Sequence, residues 1–145
     1  MTFHATVPQQ ATVLLVEDNL DNLFVFQDIL RTDLGVPICT ARASGQQLLT
    51  FLTENTSCHP DLILVDLALP YEDGFAVHQQ LRVHFGRYKS SSPRIVALTV
   101  DCAPQTVARA RNEGFDGFIG KPIERTRFIK QITRILDGEP VWEPV

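Results

Sequence analysis

Leu62-Ile63-Leu64-Val65-Asp66 is an unbroken apolar run closed by a single carboxylate. A short continuous run of this kind reads as a strand buried on both faces, as in a parallel sheet covered by helices. Three other segments repeat the pattern. Val13-Leu14-Leu15-Val16 is followed by Glu17 and Asp18, Ile95-Val96-Ala97-Leu98 ends on Thr99, and Phe118-Ile119-Gly120 is closed by Lys121. In a parallel sheet all strands point the same way, so these polar groups converge at one edge, where open α/β proteins bind ligands. The convergent set is three carboxylates, one hydroxyl and one ammonium. It suits a small cation and a phosphate, and it is not a hydrophobic pocket.

Working outward, short apolar runs alternate with longer amphipathic stretches about five times, which argues βα units. The strands are expected at 12–16, 61–65, 95–99 and 115–119. A further run, Val36-Pro37-Ile38-Cys39-Thr40, carries a proline, which is tolerated mainly on an edge strand. Asn19 is expected to cap a first helix whose apolar stripe is Leu20, Leu23, Phe24 and Leu30. Ser44 with Gln47 forms a capping box before Leu48, Phe51 and Leu52. Val77, Leu81 and Phe85 recur at i, i+4 and i+8 after Gly74. Pro104 suits the first position of a helix that stops near Gly114. Phe128, Ile132, Ile135 and Leu136 share one face of a last helix, ended by Gly138 and Pro140. All these stripes are expected in the core. The reading divides the chain into a loose arm at 1–10, one domain at 11–137 and a tail at 138–145, either a frayed end or a segment whose Trp142 docks on the domain or a partner, with a loop at Tyr88–Pro93.

Composition bounds the function. The 145 residues suit one domain, and 44% apolar with 21% charged content is ordinary for a globule. Such a chain buries roughly two-thirds of its extended surface and folds without staples. No apolar run approaches the ~20 residues of a membrane span, and the N-terminus has no secretory pattern. Cys39, Cys58 and Cys102 are scattered, with no CxxC pair, and read as free thiols of a reducing compartment, the cytoplasm. His4, His59, His78 and His84 are too dispersed to ligate a metal. The net charge of −4 is uneven: 16–73 holds ten acidic and two basic residues, and 109–134 seven basic and three acidic. That asymmetry fits either solvated helix faces or an acid-rich site at one end with a basic docking face elsewhere.

Magnesium takes oxygen ligands and keeps several waters, so one or two carboxylates plus a substrate phosphate satisfy it. Glu17, Asp18 and Asp66 supply them. Lys121 is a mobile point charge for a phosphate oxygen, and Thr99 has a hydroxyl for another. A carboxylate can also attack phosphorus, giving an aspartyl phosphate.

These residues resemble the receiver domain of two-component response regulators. The resemblance covers about residues 11–137 and rests on four fragments in order: Val16-Glu17-Asp18-Asn19, Asp66 through Gly74, Thr99, and Lys121-Pro122. It implies a five-stranded doubly wound parallel sheet of order 2-1-3-4-5, a flavodoxin-like three-layer α/β sandwich. It implies Asp66 as phosphoacceptor, and Mg²⁺ held by Glu17, Asp18, Asp66 and the backbone carbonyl of Ala68. Lys121 would pair with the phosphoryl group, and Thr99 would bond it after a switch. Phe118 would be the switch aromatic, and the Lys121-Pro122 peptide would be cis. A histidine kinase or phosphotransfer protein would be the donor, and a downstream protein the receiver of the signal.

Three positions depart from the commonest pattern of that family. Glu17 stands where many members have aspartate, Leu69 replaces a frequent methionine, and Val100 stands where a small residue is common. A flavodoxin-like electron carrier is the main rival, but Glu17-Asp18-Asn19-Leu20 would repel the phosphate that such a loop must cradle. A dedicated phosphatase would place a second aspartate where Ala68 stands. A pseudo-receiver without phosphorylation would lack a functional type, and none is missing. Nucleic acid and membrane are not expected partners. The 104–136 face, with Arg111, Arg127 and Lys130, is the expected output surface, for an acidic partner or a homodimer.

Overall fold

The computed structural model describes residues 5–87 and 92–145; His4 and most of the expected 88–93 loop lie outside them. Strands β1 (Thr12–Val16), β2 (Ile38–Arg42), β3 (Leu62–Val65), β4 (Arg94–Thr99), β5 (Gly117–Gly120) and β6 (Val141–Glu143) form one sheet of order β2-β1-β3-β4-β5-β6. Every pairing is parallel. Helices α1 (Leu20–Asp28), α2 (Gly45–Glu54), α3 (Gly74–Arg87), α4 (Pro104–Asn112) and α5 (Arg125–Leu136) alternate with the strands. The first five strands take the expected order. The sixth is new: it adds to the outer edge of β5.

The continuous apolar runs are explained by the two cores. Val13, Leu15, Leu62, Leu64, Val96, Leu98 and Ile119 point to the α1/α5 side. Their neighbours Leu14, Val16, Ile63, Val65, Ile95, Ala97 and Phe118 point to the α2, α3 and α4 side. With helices over both faces, each alternate position is equally apolar. Pro37 lies just outside β2, whose ladder with β1 begins at Ile38, so the edge strand starts two residues later than its apolar run. That is where a residue with no amide hydrogen is tolerated.

Local signals set the helix starts. The Asn19 side chain accepts the Asn22 amide at 3.0 Å. Ser44 Oγ accepts the Gln47 amide at 3.1 Å, and Gln47 Oε1 returns to the Ala43 amide at 3.2 Å. Glu124 accepts the amides of Thr126 and Arg127 and opens α5. The stripes of α3 and α5 are buried as expected, as are Leu48 and Leu52 of α2, with Phe51 half-buried; of the expected α1 stripe only Leu30 is buried. Leu20 and Phe24 are 76% and 77% exposed, and the buried residues are Phe26, Ile29 and Leu30. After Asp28 the helix widens into a π-helical turn, Ile29–Asp33, which brings Ile29, Leu30 and Leu34 onto the sheet. Phe26, already inside α1, is two residues on from Phe24 and six from Leu20, so the core face lies roughly 120–160° round the helix from them.

The N-terminal arm is also more ordered than expected. The Thr6 amide donates to the Leu136 carbonyl at 2.8 Å, and Thr6 Oγ1 donates to Asp61 at 3.4 Å. The loose arm is therefore tied down from Thr6 onward. Of the two readings of the tail, the structure has the docked one. Val141 is fully buried, and Trp142 is half-buried against the α4 side of the sheet.

Candidate functional site

At the C-terminal edge of the sheet, the polar residues that follow β1, β3 and β5 meet in one cleft. Lys121 Nζ donates to Glu17 Oε1 at 2.6 Å and to Asp66 Oδ2 at 2.9 Å. The three side chains are 6%, 1% and 8% exposed. The other Asp66 oxygen, Oδ1, accepts the Ala68 amide at 2.9 Å, which fixes the carboxylate on the turn after β3. The Phe26 ring lies 5.7 Å from Lys121 Nζ and forms an apolar side of the cleft.

Electrostatics follow from this burial. Burial pushes the Glu17 carboxyl above its usual range, while the Lys121 hydrogen bond and charge pull it down; Asp66 adds to the rise. Burial would lower Lys121, but its hydrogen bonds to Asp66 and Glu17, with their negative charges, outweigh it and hold the ammonium above its usual range. One ammonium therefore serves two carboxylates that would otherwise repel.

Oxygen atoms of Glu17, Asp18 and Asp66 lie within 4.8 Å of one another, with Asp18 exposed at the mouth. Glu17 Oε2 is buried and has no hydrogen-bond partner. An orphaned buried carboxylate oxygen beside two further carboxylates fits a hard divalent cation, which takes oxygen ligands and offsets their charge. The donor set is all oxygen, which suits magnesium better than a softer metal.

Thr99 is fully buried, and its Oγ1 accepts the Asp101 amide at 3.2 Å. Phe118 is fully buried between the sheet and the α4 side. The Lys121-Pro122 peptide is cis. Val100 is 64% exposed and, with Val25, Phe26, Lys121, Pro122 and Ile123, lines a depression of about 280 Å³ beside the cleft.

The structure adds residues the sequence left unassigned. Glu72 accepts the Gly45 amide at the head of α2, tying the loop after Asp66 to that helix. At Gly74 an added Cβ would fall 2.5 Å from Leu67 Cα and 2.6 Å from the Asp66 carbonyl oxygen. Glycine lets the head of α3 press against the Asp66 turn, and the Asp-Gly pair at 73–74 was the visible signal. The basic residues of 109–134 are largely engaged within the domain. Arg125 bridges Asp28 and Asp33, Arg109 pairs with Glu113, and Arg134 pairs with Glu143.

The model of the response regulator receiver domain matches residues 13–133. The chain belongs to this family. It is 32% identical over 125 residues to the polar-differentiation response regulator DivK of Brucella ovis, covering 86% of this chain and 95% of that protein. It is 29% identical over 122 residues to hybrid signal transduction histidine kinase L of Dictyostelium discoideum, covering 84% of this chain but 7% of the kinase. Among solved structures, Vibrio cholerae chemotaxis protein CheY4 superposes with a TM-score of 0.73 at 25% identity, over 87% of this chain and 98% of that one. A LuxR-family response regulator from Aurantimonas sp. SI85-9A1 shares the fold, with a TM-score of 0.77 at 21% identity over 93% and 91% of the two chains. The receiver is thus a phosphoryl-accepting signalling module whose acid cluster is built from Glu17, Asp18 and Asp66. No helix among the described residues is long and apolar enough to cross a membrane.

Proposed function

We propose that Asp66 accepts a phosphoryl group from a phosphohistidine donor, a histidine kinase or a phosphotransfer protein, in a Mg²⁺-dependent reaction, and that the protein passes the signal to a downstream protein in the cytoplasm. The observation that carries this reading is Lys121 Nζ poised between Glu17 and Asp66 at the sheet edge, beside an unpartnered Glu17 oxygen. An Asp66 oxygen forms the new bond to phosphorus, the donor's N–P bond breaks, and the imidazole leaves. The Ala68 amide holds the carboxylate in place for attack. Lys121, kept charged by its setting, moves its hydrogen bond from Asp66 Oδ2 to a phosphoryl oxygen. Glu17 and Asp18, with Asp66 and the Ala68 carbonyl, are the groups that would hold Mg²⁺. Bound there, the cation supplies Lewis-acid stabilisation of the phosphoryl oxygens.

Exposed Val25 and Val100 flank the cleft, and Leu20 and Phe24 extend the apolar surface along α1. An apolar patch beside a catalytic cleft is where a donor helix would seat. Transfer consumes the Asp66 charge and adds roughly −1.5 to −2 with new acceptor oxygens. The Thr99 hydroxyl, which accepts the Asp101 amide, would donate its proton to one of them. Phe118, with no hydroxyl to hold it outward, favours the buried rotamer. Signalling by a homodimer through the 104–136 face is the alternative to an acidic partner there.

Intact-mass measurement after acetyl phosphate and Mg²⁺ treatment should show one added phosphoryl group, lost in Asp66→Asn. Equal labelling of that variant would overturn the assignment.

A further inference from the structure

The outer edge of β5 is covered by the chain's own C-terminal strand, β6. In the β4–β5–β6 ladder Phe118 is paired with Ala97 on one side and Trp142 on the other. Partners in parallel register project to the same face of the sheet. Phe118 therefore has a methyl group on its β4 side and an indole on its outer side. The Trp142 ring is covered in turn by the Arg111 guanidinium of α4, 4.1 Å from the ring centroid. A Phe118 ring leaving the core toward the sheet edge would meet Trp142 first.

The strand is seated by several independent features. Val141 is fully buried in the α1/α5 core and anchors it. Glu143 accepts from Gln131 Nε2 at 2.9 Å, Arg134 Nη1 at 2.8 Å and Arg127 Nη2 at 3.4 Å, all on α5. Arg127 also donates to the Val145 carbonyl. The Pro144 carbonyl lies so close over Gly120 that a Cβ there would collide with it. Gly120 immediately precedes Lys121, so the tail abuts the strand that carries both the lysine and Phe118.

We propose that Trp142 is a gate on the switch. Seated under Arg111 it confines Phe118 to the core, and the outward state of Phe118 requires Trp142 to leave. The proposal rests on the reading of Asp66 as phosphoacceptor. Since phosphorylation acts by favouring buried Phe118, closing of the gate and phosphoryl binding reinforce each other, and by linkage each strengthens the other equally. The output face is thereby not a bare basic surface: its Arg111, Arg127 and Arg134 are held by the tail in the closed state.

Trp142 is the single tryptophan of the chain, so its emission reports the gate. The test uses the full chain with Mg²⁺ and beryllofluoride, whose binding is read separately by its ¹⁹F signal. Acrylamide quenching of Trp142 should fall at least about twofold on binding, as the seated population rises. Trp142→Ala should weaken beryllofluoride binding about tenfold, and Trp142→Phe less, because the outward state is no longer blocked. In a Phe118→Ala background the same substitution should change binding less than about twofold, since nothing remains to gate. A tenfold loss that persists in that background would mark Trp142 as a structural residue and overturn the gate. So would unchanged quenching in the unaltered protein while the ¹⁹F signal shows beryllofluoride bound. A missing ¹⁹F signal in the unaltered protein would instead overturn the phosphoacceptor reading, and the coupling with it.

Discussion

Glu17 and Lys121, 104 positions apart in the chain, form a 2.6 Å ion pair with side chains 1% and 6% exposed. The same ammonium holds Asp66, so the functional site is also a buried charge cluster in the folded core. Removing one partner of such a cluster leaves the others uncompensated, which costs more than the pair contributes when intact.

Lys121→Met should therefore destabilise the metal-free protein by about 3–5 kcal/mol. Urea unfolding followed by circular dichroism measures this, and millimolar Mg²⁺ should recover part of the loss by binding the folded state alone. A loss below about 1 kcal/mol, in the range of a surface pair, would show that Glu17 and Asp66 do not need the lysine.

Magnesium binding should depend on Asp18 more than on Glu17. Asp18 stands exposed at the mouth, whereas one Glu17 oxygen is already taken by Lys121. Calorimetric titration of Asp18→Ala and Glu17→Ala should show the larger loss in the first. Equal losses would contradict this ranking.

His78 predicts an acid weakness unrelated to the site. Its ring stacks on Phe115 at 4.1 Å, and its Nε2 accepts from Arg82 Nε at 3.2 Å, which requires the neutral imidazole. Burial, with the Arg82 charge next, lowers its pKa to about 4 from an ordinary 6.5. Between those values the unfolded chain binds a proton that the folded chain does not, so stability falls as pH drops from about 6.5 toward 4. Between pH 7 and pH 5 this residue should account for about 2 kcal/mol of lost stability. His78→Gln, which keeps an acceptor for Arg82, should flatten the profile by that amount in urea titrations at the two pH values. An unchanged profile would place the sensitivity elsewhere.

Gly74→Ala should displace the turn that carries the phosphoacceptor, because the new methyl group lands on the Asp66–Leu67 backbone. Backbone overpacking of this kind costs about 1–3 kcal/mol. Labelling by acetyl phosphate should slow together with the loss of stability. A variant that is destabilised yet labels at the unaltered rate would show that α3 supports the fold without positioning Asp66.

The basic segment and the tail show where reading the chain alone stops. The order of strands was implied by the family resemblance, whereas the meeting of Glu17, Asp18, Asp66 and Lys121 was legible, because each follows an apolar run and a parallel sheet has only one C-terminal edge. Such information is local plus one topological rule. The phase of α1 was not legible: Leu20 and Phe24 form an apolar stripe that looks like core, but Phe26, round the other side of the same helix, is the residue that packs inward. The strand Val141–Glu143 was not legible either, since three residues between two prolines carry no periodicity and become a strand only beside the free edge of β5. Charge behaves the same way. The excess of arginine at 109–134 is a fact of sequence, but whether Arg111, Arg127 and Arg134 face solvent or the chain's own Trp142 and Glu143 depends on contacts distant in sequence, which only the folded chain decides.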